Sequence, residues 1–207
     1  MTRLIAFGTV LLCLVVAFPS LAQGEQSTAD LGSPPEATAF DYLLLATKKT
    51  STLEKELAEA AEAGYHLAYT MGGETAFGGD EIVAVMARAE GAEPHALFEY
   101  RLLATNKTST MQKEMREAAE AGYVHRAQSV ATTSFGGREV IVIMERELDT
   151  EPRPRAEYLL LATKKTSTMQ KELREAGQAG FSIVGMTVAK TAFGGAETVA
   201  ILERAIQ

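Results

Sequence analysis

Three loops of nearly the same sequence offer the strongest candidates for chemistry. Each loop places a lysine beside a threonine and a serine, just before a stretch that predicts a helix. Free backbone N–H groups and the helix dipole favour an anion at such a place, and the lysine adds positive charge. The candidate residues are Lys49, Thr50 and Ser51, with their equivalents Lys107, Thr108, Ser109, Lys165, Thr166 and Ser167. The loops therefore indicate a candidate site for a small anionic ligand.

Helix capping is a competing explanation for the same residues. The segment Ser51-x-x-Glu54 fits a capping box, in which the hydroxyl accepts from a helix N–H and the carboxylate reaches back. The pattern recurs as Ser109-x-x-Gln112 and Ser167-x-x-Gln170. Capping by Ser51 or Thr52 accounts for the hydroxyls without any ligand, so we take it as the default. The loop also lacks the Gly-x-x-x-x-Gly-Lys frame of a phosphate-binding loop.

Other candidates for catalysis or metal binding are sparse. The three histidines, His66, His95 and His125, fall at non-equivalent positions, and no His or Cys pair has the spacing of metal ligands. The repeated serines have no repeated histidine that could act as their base. We therefore predict no catalytic residue, no metal site and no cofactor.

Repeated acidic and aromatic residues have structural explanations. The acidic residues of the helical stretch, from Glu54 to Glu62, predict a solvated helix face. Glu81, Glu139 and Glu197 open the last strand of each copy, where an ion pair beside the turn is the default. Phe77, Phe135 and Phe193 precede paired glycines, and we expect these aromatic rings to fold over the core rather than to contact a partner.

The first residues predict export. Arg3 precedes an apolar run from Leu4 to Phe18, and Ser20-Leu21-Ala22 fits a cleavage site, so residues 1–22 are predicted to be a signal peptide. An uncleaved N-terminal anchor is the alternative. The single cysteine, Cys13, lies inside this run. Residues 23–39 are rich in Gln, Gly, Ser, Thr, Pro and Ala and predict a flexible leader. The expected location is periplasmic or extracellular.

The remainder of the chain is an internal repeat with a period of 58 residues. Tyr42, Tyr100 and Tyr158 share this spacing, and so do Gly64, Gly122 and Gly180. Each copy reads as a Tyr-led strand, a helix, a variable strand and a nearly all-apolar strand. We predict an α+β fold of three tandem β-α-β-β units, at residues 40–89, 98–147 and 156–205. Each unit should be a three-stranded antiparallel sheet of order 1-3-2 with one helix on one face.

The second face of each sheet is also apolar. A unit of about 50 residues has a marginal core by itself. We therefore predict that the units pack on each other, or on a second chain, through that face.

The repeat resembles a class of small secreted bacterial βαββ domains of unknown function. The resemblance rests on the Tyr-led strand, the helix ending in Ala63-Gly64-Tyr65, and the last strand ending in Arg88. The Lys-Thr-Ser loop and the Phe-Gly-Gly turn depart from that pattern. The resemblance implies this fold and a bacterial envelope setting, and it implies no reaction.

Composition narrows the class of partner. The 207 residues are 46% hydrophobic and 23% charged with a net charge of −7, which excludes a disordered chain and a disulfide scaffold and argues against nucleic-acid binding. We expect a secreted, non-enzymatic binding or interaction protein with a protein partner, and a homo-oligomer is an option. A small anionic ligand is the alternative, a hydrolytic enzyme ranks last, and no membrane contact is expected after signal cleavage.

Overall fold

The computed structural model describes residues 39–75, 79–133, 137–149, 156–190 and 196–206. The predicted signal peptide, nearly all of the predicted leader, and the three turn phenylalanines lie outside the described residues.

Strands and helices follow in the order strand, helix, strand, strand, three times over. Unit 1 consists of β1 (Phe40–Thr47), α1 (Thr50–Glu62), β2 (His66–Thr75) and β3 (Gly79–Ala89). Unit 2 consists of β4 (Phe98–Thr105), α2 (Thr108–Glu120), β5 (Val124–Thr133) and β6 (Gly137–Glu147). Unit 3 consists of β7 (Ala156–Thr163), α3 (Thr166–Gln178), β8 (Ser182–Lys190) and β9 (Ala196–Ala205).

Each unit forms its own three-stranded antiparallel sheet, in the orders β1-β3-β2, β4-β6-β5 and β7-β9-β8. The predicted α+β fold and the predicted strand order are therefore confirmed. The last strand of each unit lies in the middle because it is apolar on both faces and must be covered on both sides. The second strand of each unit carries a bulge near its start, between Leu67 and Tyr69 in unit 1.

The helices end as the sequence predicts. Gly64 has a φ of 83°, its N–H donates to the carbonyl of Ala61 at 2.9 Å, and the Tyr65 N–H donates to Ala60 at 3.0 Å. These two bonds make a Schellman motif, and only glycine adopts its left-handed position without strain. Gly122 and Gly180 repeat the arrangement.

An arginine from the middle strand then closes each helix end. Arg88 donates to the carbonyl of Ala63 at 2.9 Å, and its guanidinium lies 4.5 Å from the centre of the Tyr65 ring. It also pairs with Asp41 at 3.2 Å. Arg146 and Arg204 repeat this contact set in units 2 and 3. The repeated terminal arginine is therefore explained by packing and hydrogen bonding within its unit.

The helix starts differ from prediction. The N-cap residues are Lys49, Lys107 and Lys165, and no side chain makes a capping hydrogen bond at any of the three helices. The predicted capping box is thus wrong. Glu54 fails to reach back because its carboxylate is engaged elsewhere: Oε1 accepts from the backbone N–H of Leu102 in unit 2, at 3.1 Å. Gln112 likewise accepts from Leu160 of unit 3 at 3.0 Å.

The three units stack so that sheets and helices alternate. We call the sheet side that carries the unit's own helix the front face, and the other side the back face. Leu53 and Leu57 of α1 share one buried cluster with the front face of unit 1 and with Tyr100, Ile141 and Ile143 of the back face of unit 2. The helix α2 lies in the same way between the front face of unit 2 and the back face of unit 3, which contributes Tyr158, Val199 and Ile201. The second apolar face of units 2 and 3 is therefore buried by the preceding unit.

Candidate functional site

The Lys-Thr-Ser loops lie one per unit, at the N-terminus of each helix. In unit 1 the hydroxyl of Thr47 accepts from the Lys49 N–H at 3.2 Å, which shapes the turn into the helix. Thr105 and Thr163 do the same for Lys107 and Lys165. The side chains of Lys49 and Ser51 are exposed, and so are those of the equivalent lysines and serines, whereas Thr50 and Thr108 are half-buried and Thr166 is exposed. The candidate residues are therefore at least partly accessible, and none of their side chains makes a capping hydrogen bond.

The second loop also borders unit 3. A cavity of about 10 Å³ is lined by Thr105, Lys107 and Thr108 on one side and by Leu160 and Val199 on the other. This volume is about that of a single water probe, so the cavity encloses no larger ligand. An anion at this loop would bind at the surface.

Two of the three histidines lie beside carboxylates, and the third, His125, is buried. His95 lies 2.7 Å from the carboxylate of Asp149, and both side chains are largely exposed. Burial lowers the pKa of His125 to about 4, so this ring is neutral at physiological pH. Within the described ranges no three His, Cys, Asp or Glu side chains lie close enough to hold a metal ion.

A buried ion cluster lies between units 1 and 2. The carboxylate of Glu145, on the back face of unit 2, is almost fully buried and lies 2.8 Å from Nε2 of His66 and 3.2 Å from Nε of Arg126. The His66 ring also stacks on Phe98 with ring centroids 4.1 Å apart. Arg126 donates in addition to the backbone carbonyl of Leu67. The cluster therefore joins the two units.

The helix carboxylates are mostly solvated, as predicted. Exposed lysine–glutamate pairs lie one turn apart on each helix, at 3.5, 3.6 and 3.8 Å. Glu54 is one exception, through its bond to Leu102. Glu56 is a second, since it is half-buried and its Oε2 is buried. Glu114 is a third, since partial burial raises its pKa above the usual range. None of these contacts brings two carboxylates together around a reacting centre.

The most distinctive surfaces lie at the two ends of the stack. No unit among the described residues packs on the back face of unit 1, and its apolar side chains are exposed. We call this surface the N-terminal face; it comprises Phe40, Tyr42, Leu44, Tyr69 and Met71. No unit among the described residues packs on the front side of unit 3. We call it the C-terminal face; it comprises Gln170, Ile183, Met186 and Val188.

The distribution of exposed apolar side chains singles out these faces. Among the described residues, large exposed hydrophobic side chains within units occur only in units 1 and 3. Unit 2, which has a neighbour on both sides, has none. Leu43 is at the threshold of exposure, on the front face of unit 1. The others lie outside the units: Leu97, Leu148 and Ile206. Sequence reasoning predicted that the second sheet face must be covered. It missed that three units in a row leave one such face, and one complementary front side, uncovered.

The fold and these faces define a repeat protein of three stacked βαββ units. No protein-family model, curated protein or solved structure matches the chain. No helix in the described part of the chain is long and apolar enough to cross a membrane. The resemblance to small secreted βαββ domains therefore stays a prediction from the repeat pattern.

Proposed function

We propose that this chain is an exported, non-enzymatic interaction protein that binds other macromolecules through its N-terminal and C-terminal faces. The observation that carries the proposal is the concentration of exposed aromatic and aliphatic side chains on these two surfaces. Contiguous apolar surface of this kind is typical of binding sites for proteins. The signal-like residues 1–22 support export.

The contacts of the candidate catalytic residues support a non-enzymatic role. His66 pairs with Glu145 between units 1 and 2, and His95 pairs with Asp149. The ring of His125 is buried and neutral at physiological pH, because burial lowers its pKa to about 4. The repeated serines Ser51, Ser109 and Ser167 lie in the first turns of the helices. A nucleophile needs a base within hydrogen-bonding reach, and no hydrogen bond in the described ranges joins these serines to a histidine.

Native mass spectrometry tests the proposal with matched variants. Leu44→Arg places a charge on the N-terminal face, and Leu97→Arg places the same charge on an exposed residue outside the units. We expect the wild type and Leu97→Arg to give a defined complex, with a second copy or with another protein, and Leu44→Arg to lose it. Bare monomer from all three proteins would contradict the proposal.

A second candidate is a small anionic ligand at the Lys-Thr-Ser loops. The observation that favours it is that no side chain caps any of the three helices, so capping no longer accounts for the repeated hydroxyls. Replacement of Lys49, Lys107 and Lys165 together by alanine should abolish a small adduct in the same spectra and weaken inorganic phosphate binding. Unchanged phosphate affinity would exclude this candidate.

A further inference from the structure

Two internal interfaces in this chain are built from the same contacts. The helix of one unit packs against the first strand of the next unit. The side chain of Glu54 or Gln112 on the helix accepts a hydrogen bond from a backbone N–H of that strand. In the opposite direction, a tyrosine of the same strand accepts a hydrogen bond from a backbone N–H in the second strand of the preceding unit. Tyr100 accepts from the Leu67 N–H at 2.9 Å, and Tyr158 accepts from the His125 N–H at 2.7 Å.

Each end of the stack presents one half of this interface. Tyr42 and Leu44 are 64% and 65% exposed. The equivalents of Tyr42 in units 2 and 3 are buried: Tyr100 is 7% exposed and Tyr158 is 0% exposed. At the other end Gln170 is exposed and has the position of Glu54 and Gln112 on its helix. Ile183 has the position of Leu67 and His125 and is 52% exposed. The two faces therefore carry the hydrogen-bonding positions of both sides of such an interface, whereas Tyr69 and Met71 replace the smaller residues that units 2 and 3 have at the same positions.

We propose that the chain associates head to tail, with the N-terminal face of one copy docked on the C-terminal face of a second copy. This inference rests on the proposed function and names the partner. Gln170 accepts from the Leu44 N–H of the second copy, and Tyr42 of that copy accepts from the Ile183 N–H. Met186 and Val188 pack against Tyr69 and Met71. Because these two side chains are larger than Gly185 and Thr187, their equivalents in unit 3, the strands here lie farther apart than β5 and β8 do within the chain.

The ionisable residues that meet at the first interface, one histidine, one arginine and one glutamate, have no ionisable equivalents on the two faces. His66, Arg126 and Glu145 form the ion cluster between units 1 and 2. On the C-terminal face, Ser182 has the position of His66. On the N-terminal face, Ala68 has the position of Arg126, and Ala87 has the position of Glu145. Docking the two faces thus buries no unpaired member of this cluster, which would be strongly unfavourable. The proposed contact is more apolar than the interface it copies, so its affinity should depend little on salt.

The head-to-tail direction of this contact determines which oligomers form. An interface between two different surfaces leaves one free face at each end, so association continues until a ring closes or a filament grows. A symmetric dimer through two N-terminal faces would stop at two copies. The two arrangements are therefore distinguishable by mixing variants.

The test uses sedimentation velocity of the full chain over a hundredfold range of concentration, with native mass spectrometry of the same samples. Leu44→Arg blocks the N-terminal face, Met186→Arg blocks the C-terminal face, and Leu97→Arg is the control. All three side chains are exposed, so the variants should keep the circular dichroism spectrum of the wild type. We expect concentration-dependent oligomers from the wild type and the control. Each face variant alone should raise the apparent dissociation constant at least about tenfold, because it buries an unpaired charge.

Mixing the two face variants is the decisive measurement. Leu44→Arg keeps an intact C-terminal face and Met186→Arg keeps an intact N-terminal face, so an equimolar mixture should form a one-to-one pair and nothing larger. A wild type that is monomeric at every concentration would overturn the proposal. So would oligomers that persist in either face variant, or a mixture without the pair. A complex with a different protein that Leu44→Arg abolishes, beside a monomeric wild type, would overturn self-association and leave the proposed function standing.

Discussion

The hydroxyl oxygen of Tyr100 accepts a hydrogen bond from the backbone N–H of Leu67, 33 residues earlier in the chain. The tyrosine begins unit 2 and the leucine lies in β2 of unit 1, so this bond crosses the interface between two units. Burial raises the pKa of Tyr100, which keeps the hydroxyl protonated at all physiological pH values. The same residue type in unit 1, Tyr42, is exposed, because no unit in the described part of the chain packs on that face.

Removal of the Tyr100 hydroxyl should destabilise the fold. Tyr100→Phe leaves the buried Leu67 N–H without its acceptor, at an expected cost of about 1–3 kcal/mol in the free energy of unfolding. Tyr42→Phe is the matched control and should change it by less than about 0.5 kcal/mol. Urea denaturation at a protein concentration where the chain is monomeric measures both. Equal effects of the two variants would contradict the role we assign to Tyr100.

The side chain of Gln112 should stabilise the stack, although its sequence context is that of a helix cap. Gln112→Ala removes the acceptor of the Leu160 N–H and should cost about 1 kcal/mol in the free energy of unfolding. Gln170→Ala, at the exposed equivalent position, should cost less than about 0.5 kcal/mol. The same denaturation experiment compares the two. A larger loss from Gln170→Ala would show that the glutamine acts within its own helix.

Gly72 should be intolerant of a side chain. A Cβ atom at this position would overlap the carbonyl oxygen of Val130 in unit 2, because β2 and β5 approach closely there. Gly72→Ala should therefore cost about 1–3 kcal/mol of stability. Gly73 has no atom within 4 Å of the corresponding Cβ position, so Gly73→Ala is the control. Thermal unfolding of both variants gives the comparison, and a stable Gly72→Ala protein would argue against this close approach.

Stability should fall between about pH 6.5 and pH 4 through His125. Burial lowers the pKa of this histidine from 6.5 to about 4 in the folded chain. Below pH 6.5 the unfolded chain binds a proton that the folded chain does not, so the free energy of unfolding decreases as the pH falls. The loss of unfolding free energy is on the order of 3 kcal/mol and is complete below the pKa of the folded chain.

Urea denaturation at pH 7 and pH 4.5 measures this effect by comparison with His125→Gln, which has no titrating ring. The variant should lose less stability than the wild type between these two pH values. Glu99 provides a background that both proteins share, since its hydrogen bond from Tyr123 lowers its pKa and its contribution is also lost in acid. Parallel pH profiles of the wild type and the variant would contradict the assignment to His125.

The amino-acid sequence by itself determined the unit. The period of 58 residues, the helical stripe that includes Leu53 and Leu57, and the glycine at Gly64 are local patterns, and each has one favoured structure. The apolar last strand determined the strand order, because a strand that is apolar on both faces belongs in the middle of a sheet. The sequence also indicated that a second sheet face needed a cover.

Only the tertiary structure decided what the side chains between units do. Glu54 has the spacing of a helix cap, yet its acceptor oxygen meets a backbone N–H that lies 48 residues later in the chain. Spacing within a helix carries no information about such a distant donor. The roles of Tyr100, Gln112 and Arg126 depend in the same way on how the units stack, and so does the exposure of Tyr42 and Met186. A repeated sequence makes equivalent residues alike, and it is the presence or absence of a neighbouring unit that makes their environments different.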